Sequence, residues 1–337
     1  MPAPEVSSSL GLWGVPLAIG AGAVRNSTPF IFVSLGETLT EKSGRINLGQ
    51  EGTLVMGAMV GFAASYFTAQ YFPGASPTGG RGKEQWPALA VALGPWIGVL
   101  FAGLAAAVLG FIHAWLCSRP RVNDVAVGIG IMLFGVGLAF YLGKPFIKPT
   151  APQLPSVSLG FWSHSRIIQD NLRVNWLFFL GVVLAPIMLW ALKNTRWGLV
   201  VRTVGESTDA ARAMGYSVNG VRMIATMVGA FLAGVGGSFL TLYYPGGWSE
   251  GLSSGEGLMA VALVIFARWN PVYCVFAALL FGGAGALGPA LQSIGVSKGH
   301  YLFDAAPYVM TLLIMIATCS ATRNLAGAPA ELGQATV

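Results

Sequence analysis

Long apolar runs constrain this chain more than any other feature. A bilayer core of about 30 Å is crossed by about 20 residues of helix. The stretches 46–70, 88–117, 122–143, 173–192, 221–243, 272–291 and 303–322 all meet that length. A shorter apolar stretch, 257–267, stops at the turn Arg268-Trp269-Asn270-Pro271. Barrel strands would alternate apolar and polar residues over about ten positions, and these runs do not alternate. Only 9% of the 337 residues are Asp, Glu, Lys or Arg, against about 25% in soluble domains, so a water-soluble enzyme is excluded. The sequence predicts an all-α polytopic membrane protein of eight to ten transmembrane helices. The count turns on the opening, where 10–24 and 28–40 are separated by Arg25-Asn26-Ser27. They read either as one long interrupted helix or as a surface helix followed by a broken span. The first twenty residues hold Glu5 and no Lys or Arg; without the basic start of a secretory signal they are read as part of the mature chain.

Small residues recur at spacing four: Ala225, Gly229, Ala233, Gly237; Ala102, Ala106, Gly110, Ala114; Gly282, Ala286, Ala290. Such ladders let helix backbones approach closely in lipid. The net charge of +6 is read as the Lys/Arg excess that membrane proteins keep on the cytoplasmic side, not as a nucleic-acid footprint. One set of connections carries Lys42, Arg45, Arg119, Arg121, Lys193, Arg196, Arg202, Arg212, Arg222, Arg268 and Arg323; the opposite set carries Arg81, Lys83, Lys144, Lys148, Arg166, Arg173 and Lys298. This bias places 193–222 and the C-terminus in the cytoplasm and the loops 71–87 and 144–172 outside. Cys117, Cys274 and Cys319 are too far apart for a disulfide framework or a zinc motif.

Within 193–222, Ser207 or Thr208 reads as an N-cap, Asp209 as a first-turn acid and Gly215 as a stop. That predicts a stubby Ala-rich helix of two or three turns, either an ordinary loop helix or a docking element for a partner. Elsewhere, polar residues stand where apolar ones are expected. Residues 36–52 read GETLTEKSGRINLGQEG and residues 244–257 read YPGGWSEGLSSGEG. The two share a local pattern, Glu51-Gly52-Thr53-Leu54 beside Glu256-Gly257-Leu258-Met259. Paired Gly-interrupted segments point to a transporter's midplane pathway. No phosphate-binding loop is present: Gly82-Lys83 is followed by Glu84, and Pro77 stands where the first Gly is needed. Any ATP-driven step therefore belongs to another polypeptide. His113, His164 and His300 are scattered, with no metal-ligand spacing.

Three blocks carry a family resemblance: TEKSGRINLGQEGTLVMGAM (40–59), RTVGESTDAARAMGYSV (202–218) and GEGLMAVALVIFARWNP (255–271). With the hydrophobic pattern between them, residues 25–322 resemble the permease subunits of bacterial ABC importers in the ribose and branched-chain amino acid class, most closely the nucleoside-type branch. The resemblance implies a type II importer-like permease with broken helices (25–322), preceded by an N-terminal segment or first helix (1–24) and followed by a cytoplasmic tail (323–337). It implies coupling to an ATPase through Glu206, Asp209, Ala210, Ala211, Arg212, Met214 and Gly215. It also implies a second, different permease chain and an extracytoplasmic solute-binding protein or lipoprotein. ATP and Mg are expected on the ATPase, with no cofactor on this chain, which sits in the bacterial inner membrane. The substrate pathway is assigned to Asn47, Gln50, Glu51, Trp248 and Glu256, whose amides and carboxylates can bond ribose hydroxyls or base edges while Trp248 stacks on a flat ring. These same five could instead hold broken helices together. At Glu256 the family often has Arg, and residues before 25 have no clear counterpart. The solute class is a nucleoside, with riboflavin-like compounds or sugars as alternatives. The competing reading is a secondary transporter or channel working without an ATPase.

Overall fold

The structure, a computed structural model, describes residues 14–71, 88–162, 166–293, 305–318 and 327–334. Arg81, Lys83, His164, Lys298, His300, Cys319 and Arg323 lie outside the described residues. In chain order come α1 (Gly14–Lys42), α2 (Gln50–Tyr71), α3 (Ala88–Cys117) and α4 (Asp124–Gly143), the last extended by a 3-10 turn, Lys144–Phe146. An antiparallel pair, β1 (Ser156–Ser158) and β2 (Arg173–Asn175), sets Val157 opposite Val174 and brackets α5 (Arg166–Asn171). Then follow α6 (Trp176–Asn194), α7 (Arg196–Glu206), α8 (Thr208–Ala213), α9 (Val218–Leu242), α10 (Glu256–Phe266), α11 (Pro271–Ser293), α12 (Ala306–Thr318) and α13 (Ala330–Gln334).

Among the described residues, six helices are long and apolar enough to cross a membrane: α2, α3, α4 with its extension, α6, α9 and α11. The chain is thus an all-α polytopic membrane protein. Caps explain why two helices start inside their apolar runs. Asn123 Oδ1 accepts from the amides of Val125 (2.9 Å) and Ala126 (3.1 Å), and Asn175 Oδ1 accepts from Leu177 (2.8 Å). Each cap satisfies amides that have no intrahelical partner.

The opening of the chain is one continuous helix: α1 runs 29 residues through Arg25-Asn26-Ser27 and Pro29. It is the most polar of the long helices, yet its stretch 27–41 is buried throughout. Ser27, Thr28, Ser34, Glu37, Thr38 and Thr40 are fully buried, and α9, α10 and α11 pack around it. Its hydroxyls tolerate this because they turn back onto the helix: Ser34 Oγ to Ile31 O (3.1 Å) and Thr40 Oγ1 to Gly36 O (3.1 Å). Away from water, a buried polar group costs free energy unless it finds such a partner.

All three small-residue ladders sit at helix crossings. A Cβ added at Gly110 would run into Ala230 Cβ, and one at Gly234 would meet Ala102 and Ala106, so the α3 ladder packs on a neighbouring stripe of α9, while the α9 ladder itself faces α1 at Gly229 and α2 at Gly237. Gly282 of α11 lies against Ala23 and Ser27 of α1. Gly36 and Gly229 leave the α1–α9 crossing no room for side chains; a Cβ at Gly36 would come 3.0 Å from the Gly229 carbonyl carbon.

Helix α10 has only 11 residues, about 16 Å of rise, half the depth of a bilayer core. Its C-terminal turn reaches the same end as Lys42: Trp269 Nε1 donates to the Glu41 carboxylate, and Lys42 Nζ donates to Gly327 O at 2.7 Å. The N-terminus of α10 is therefore set back from the Lys42 end by at most that rise.

Candidate functional site

The N-terminus of α10 is held by a carboxylate from another helix. Glu51, in the first turn of α2, accepts from Ser253 Oγ (2.5 Å) and the Gly255 amide (3.2 Å) through Oε1, and from the Gly257 amide (2.7 Å) through Oε2. An anion matches the positive end of the helix dipole. Gly257 lets the two segments touch, since a Cβ there would lie 2.6 Å from Glu51 Cα. The two Glu-Gly segments alike in sequence are therefore joined in space. Glu256, beside them, has a buried Oε2 with no hydrogen-bond partner among the described residues.

The remaining sequence-predicted pathway residues divide in two ways. Gln50 and Asn47 are fully buried and converge on Glu37 of α1: Gln50 Nε2 donates to Oε2 (2.5 Å) and the Asn47 amide to Oε1 (2.8 Å). Asn47 Nδ2 has no partner among the described residues. Trp248 is 3% exposed, its ring edge-on to Phe140 with centroids 6.2 Å apart and pressed against Gly143, while its Nε1 is likewise unpartnered. Glu37 and Glu41 were missed in the sequence. Their signal was a pair of acids one helical turn apart, Glu37 inside the apolar run 28–40 and Glu41 directly after it.

The second constellation lies at the Lys42 end. Ser207 caps α8 by accepting from the Ala210 amide at 3.2 Å, and Asp209 stands in the first turn. Gly215, at φ +84°, ends the helix, with the Tyr216 amide reaching Ala211 O at 3.0 Å. The cap and stop are those expected, but α8 is six residues long, under two turns instead of two or three. The unpredicted α7 precedes it, capped by Thr195 Oγ1, which accepts from the Gly198 amide at 3.1 Å. Ala211 is buried with Val204 and Val218, fixing the helix to its support. The opposite face carries Ala210, Met214, Gly215 and an exposed Arg212–Asp209 pair at 3.1 Å. Glu206 is exposed and its Oε2 accepts from the Ala330 amide at 3.4 Å.

Sequence comparison decides the family. Residues 20–319 match the family model described as the branched-chain amino acid transport system permease component. The chain belongs to that permease family. Among its relatives, a nucleoside ABC transporter permease protein of Lactococcus lactis is 27% identical over 86% of this chain and 88% of that one. A guanosine ABC transporter permease protein of Bacillus subtilis is 28% identical over 86% and 88% respectively. A putative glucose ABC transporter permease protein of Haloferax volcanii is 29% identical over 81% and 78%.

The chain is accordingly the transport subunit of an ABC importer and not an enzyme, its family pairing such permeases with an ATPase on another chain. Membership accounts for a membrane body without a phosphate-binding loop, and it sets aside the secondary transporter or channel. In this permease Glu51 and Gln50 have protein partners, whereas Asn47, Trp248 and Glu256 each keep one buried polar atom without one.

Proposed function

We propose that this permease imports nucleosides across the bacterial inner membrane by alternating access, through a pathway that passes the Glu51–α10 junction. The observation that carries this reading is the short helix α10, whose N-terminus is closed by Glu51. Opening the junction exposes three polar donors, the Ser253 hydroxyl and the amides of Gly255 and Gly257, matched to hydroxyl and carbonyl oxygens of a solute. Asn47 Nδ2, Glu256 Oε2 and Trp248 Nε1 add unfilled hydrogen-bonding capacity of the kind a ribose or a base edge takes up. Two of the three relatives above are named for nucleosides or guanosine.

In this reading Asp209–Gly215, with Glu206 at its base, seats in a cytoplasmic ATPase that carries the ATP and Mg. Closure of the ATPase rocks the permease between outward- and inward-facing states. The C-terminus is cytoplasmic, and a second, different permease and an extracytoplasmic binding protein or lipoprotein complete the importer. This reading counts α1, α10 and α12 with the six apolar helices of the described residues as membrane helices, in a domain 25–322 flanked by 1–24 and the tail 323–337.

The test is uptake into proteoliposomes holding the permease pair, the ATPase and the binding protein. ATP-dependent uptake of labelled guanosine or uridine, competed by other nucleosides and not by glucose, is the expected result. Glucose uptake with no nucleoside competition overturns the substrate class; uptake driven by a proton gradient without ATPase overturns the mechanism.

A further inference from the structure

The C-terminal segment 327–334 occupies a position that its sequence does not announce. Glu331, on α13, accepts from the Thr208 amide through Oε1 at 3.0 Å, at the very start of α8. Its Oε2 accepts from Arg222 Nη2 at 3.3 Å, and Arg222 Nε donates to Ser43 O at 3.0 Å. Arg222 and Glu331 are only 15% and 14% exposed, so the pair is shielded where charge-assisted hydrogen bonds are strong. Two more contacts tie the same pieces together: Glu206 Oε2 takes the Ala330 amide, and Lys42 Nζ donates to Gly327 O. Gly44, at φ +81°, brings the backbone so close that a Cβ would lie 2.8 Å from Arg222 Nη2 and 3.0 Å from Glu331 Cβ. Three remote stretches, 42–44, 206–222 and 327–331, are thus clamped at one node.

The node also has an onward connection. Ser43 opens the turn 43–49, whose far side holds Asn47 and Gln50 on Glu37 and leads directly into Glu51. A chain of contacts thus runs from α8 through Glu331 and Arg222 to Ser43, and along the turn to the carboxylate that closes α10. We propose that Glu331 is a positioning residue that couples the ATPase-docking helix to the Glu51 junction, making the C-terminal segment part of the power linkage. This rests on the reading that 206–215 seats in the ATPase. Claims of a transmission route need coupling evidence beyond spatial continuity, and the experiment supplies it.

The complete importer is reconstituted with Glu331→Ala, Glu331→Gln, Arg222→Ala and the Glu331→Ala/Arg222→Ala double variant. A fifth chain ends at residue 326. Four quantities are read: ATPase co-purification, thermal stability of the permease, ATP hydrolysis and solute uptake. The expected result is unchanged co-purification and a lowered thermal midpoint in a still-folded permease, with uptake per ATP falling about tenfold in both Glu331 variants, the effect of losing one charge-assisted contact. The double variant should fall no further than Glu331→Ala, since both act through one link. Normal uptake per ATP in Glu331→Ala and in the shortened chain overturns the proposal, and so do additive losses in the double variant. Loss of co-purification in every variant also overturns it, because the tail is then only a support. Should wild-type ATPase association survive a proline at Arg212, the docking assignment itself has failed, a result that leaves the Glu331 readings separately interpretable.

Discussion

Replacing Glu51 by Gln changes almost no volume and tests the junction directly. The carboxylate receives three donors, one hydroxyl and two amides, at 2.5, 3.2 and 2.7 Å. Glutamine supplies a single acceptor oxygen. Its best orientation turns that oxygen to the Gly257 amide and its NH2 to Ser253 Oγ, whose hydroxyl rotates to accept. The Gly255 amide is then left facing an NH2 group, and the helix N-terminus loses its anion. One forfeited charge-assisted bond is worth about 1.5–3 kcal/mol, and the lost dipole interaction adds about 0.3–1 kcal/mol. Their sum, about 2–4 kcal/mol, is a large share of the ~5–15 kcal/mol that holds a typical domain. Glu51→Gln should therefore lower the thermal midpoint of the purified permease and reduce uptake in proteoliposomes. Glu51→Asp, which keeps the charge one methylene short, should do less of both. Unchanged midpoint and uptake in Glu51→Gln would refute the clamp. Lost uptake at an unchanged midpoint would refute it differently, making Glu51 a solute contact.

Other outcomes follow from the packing around that junction. Arg45 is 3% exposed, with Nη1 on Ala114 O (2.9 Å), Nη2 on Cys117 O (2.8 Å) and Nε 3.2 Å from Asp124. Arg45→Ala should cost about 3–5 kcal/mol by orphaning Asp124 and two helix-end carbonyls. Arg45→Lys should recover only part, lacking the planar fork; equal midpoints for the two variants would contradict this. Gly36→Ala pushes a methyl into the Gly229 backbone and should destabilise by about 1–3 kcal/mol, read in the same thermal assay. Arg212→Pro breaks α8 at an exposed position and should abolish ATPase co-purification while leaving the permease midpoint in place; intact co-purification would count against docking there.

Much of this architecture was legible because lipid enforces simple rules. The runs at 88–117, 122–143, 173–192, 221–243 and 272–291 all became helices within a few residues of their expected ends, since continuous apolarity in this solvent admits little else. The cap and stop of α8 were legible because Ser207 and Gly215 act through local backbone chemistry. What was not legible depends on contacts far apart in sequence. The polarity of α1 reads locally as a broken span. Its continuity follows from hydroxyls that bond their own helix and from carboxylates whose partners arrive at residues 47, 50 and 269. Helix α7 was hidden because its amphipathic face is short and its cap, Thr195, falls directly after α6. Glu331 was hidden for a similar reason, with partners at Thr208 and Arg222 more than a hundred residues upstream.

The resemblance of 51–54 to 256–259 was a short sequence clue that gained much from geometry. A chance match would have no reason to bring the two Glu-Gly pairs together. Here Glu51 and Gly257 meet at backbone distance, and the residue alike in type on the other side, Glu256, is left with a buried oxygen and no partner. The asymmetry has a physical consequence. Two carboxylates at one helix N-terminus compete for the same amides, and Glu51 holds them in this conformation. A state in which α2 and α10 separate frees the Gly255 and Gly257 amides and takes Glu256 away from the Glu51 carboxylate. An Arg at position 256 would attract the Glu51 carboxylate, which Glu256 does not. Exchange of Glu256 for Arg should therefore hold the junction shut, lowering uptake while raising the thermal midpoint. A lower midpoint in Glu256→Arg would show that the two side chains do not share the junction's electrostatics.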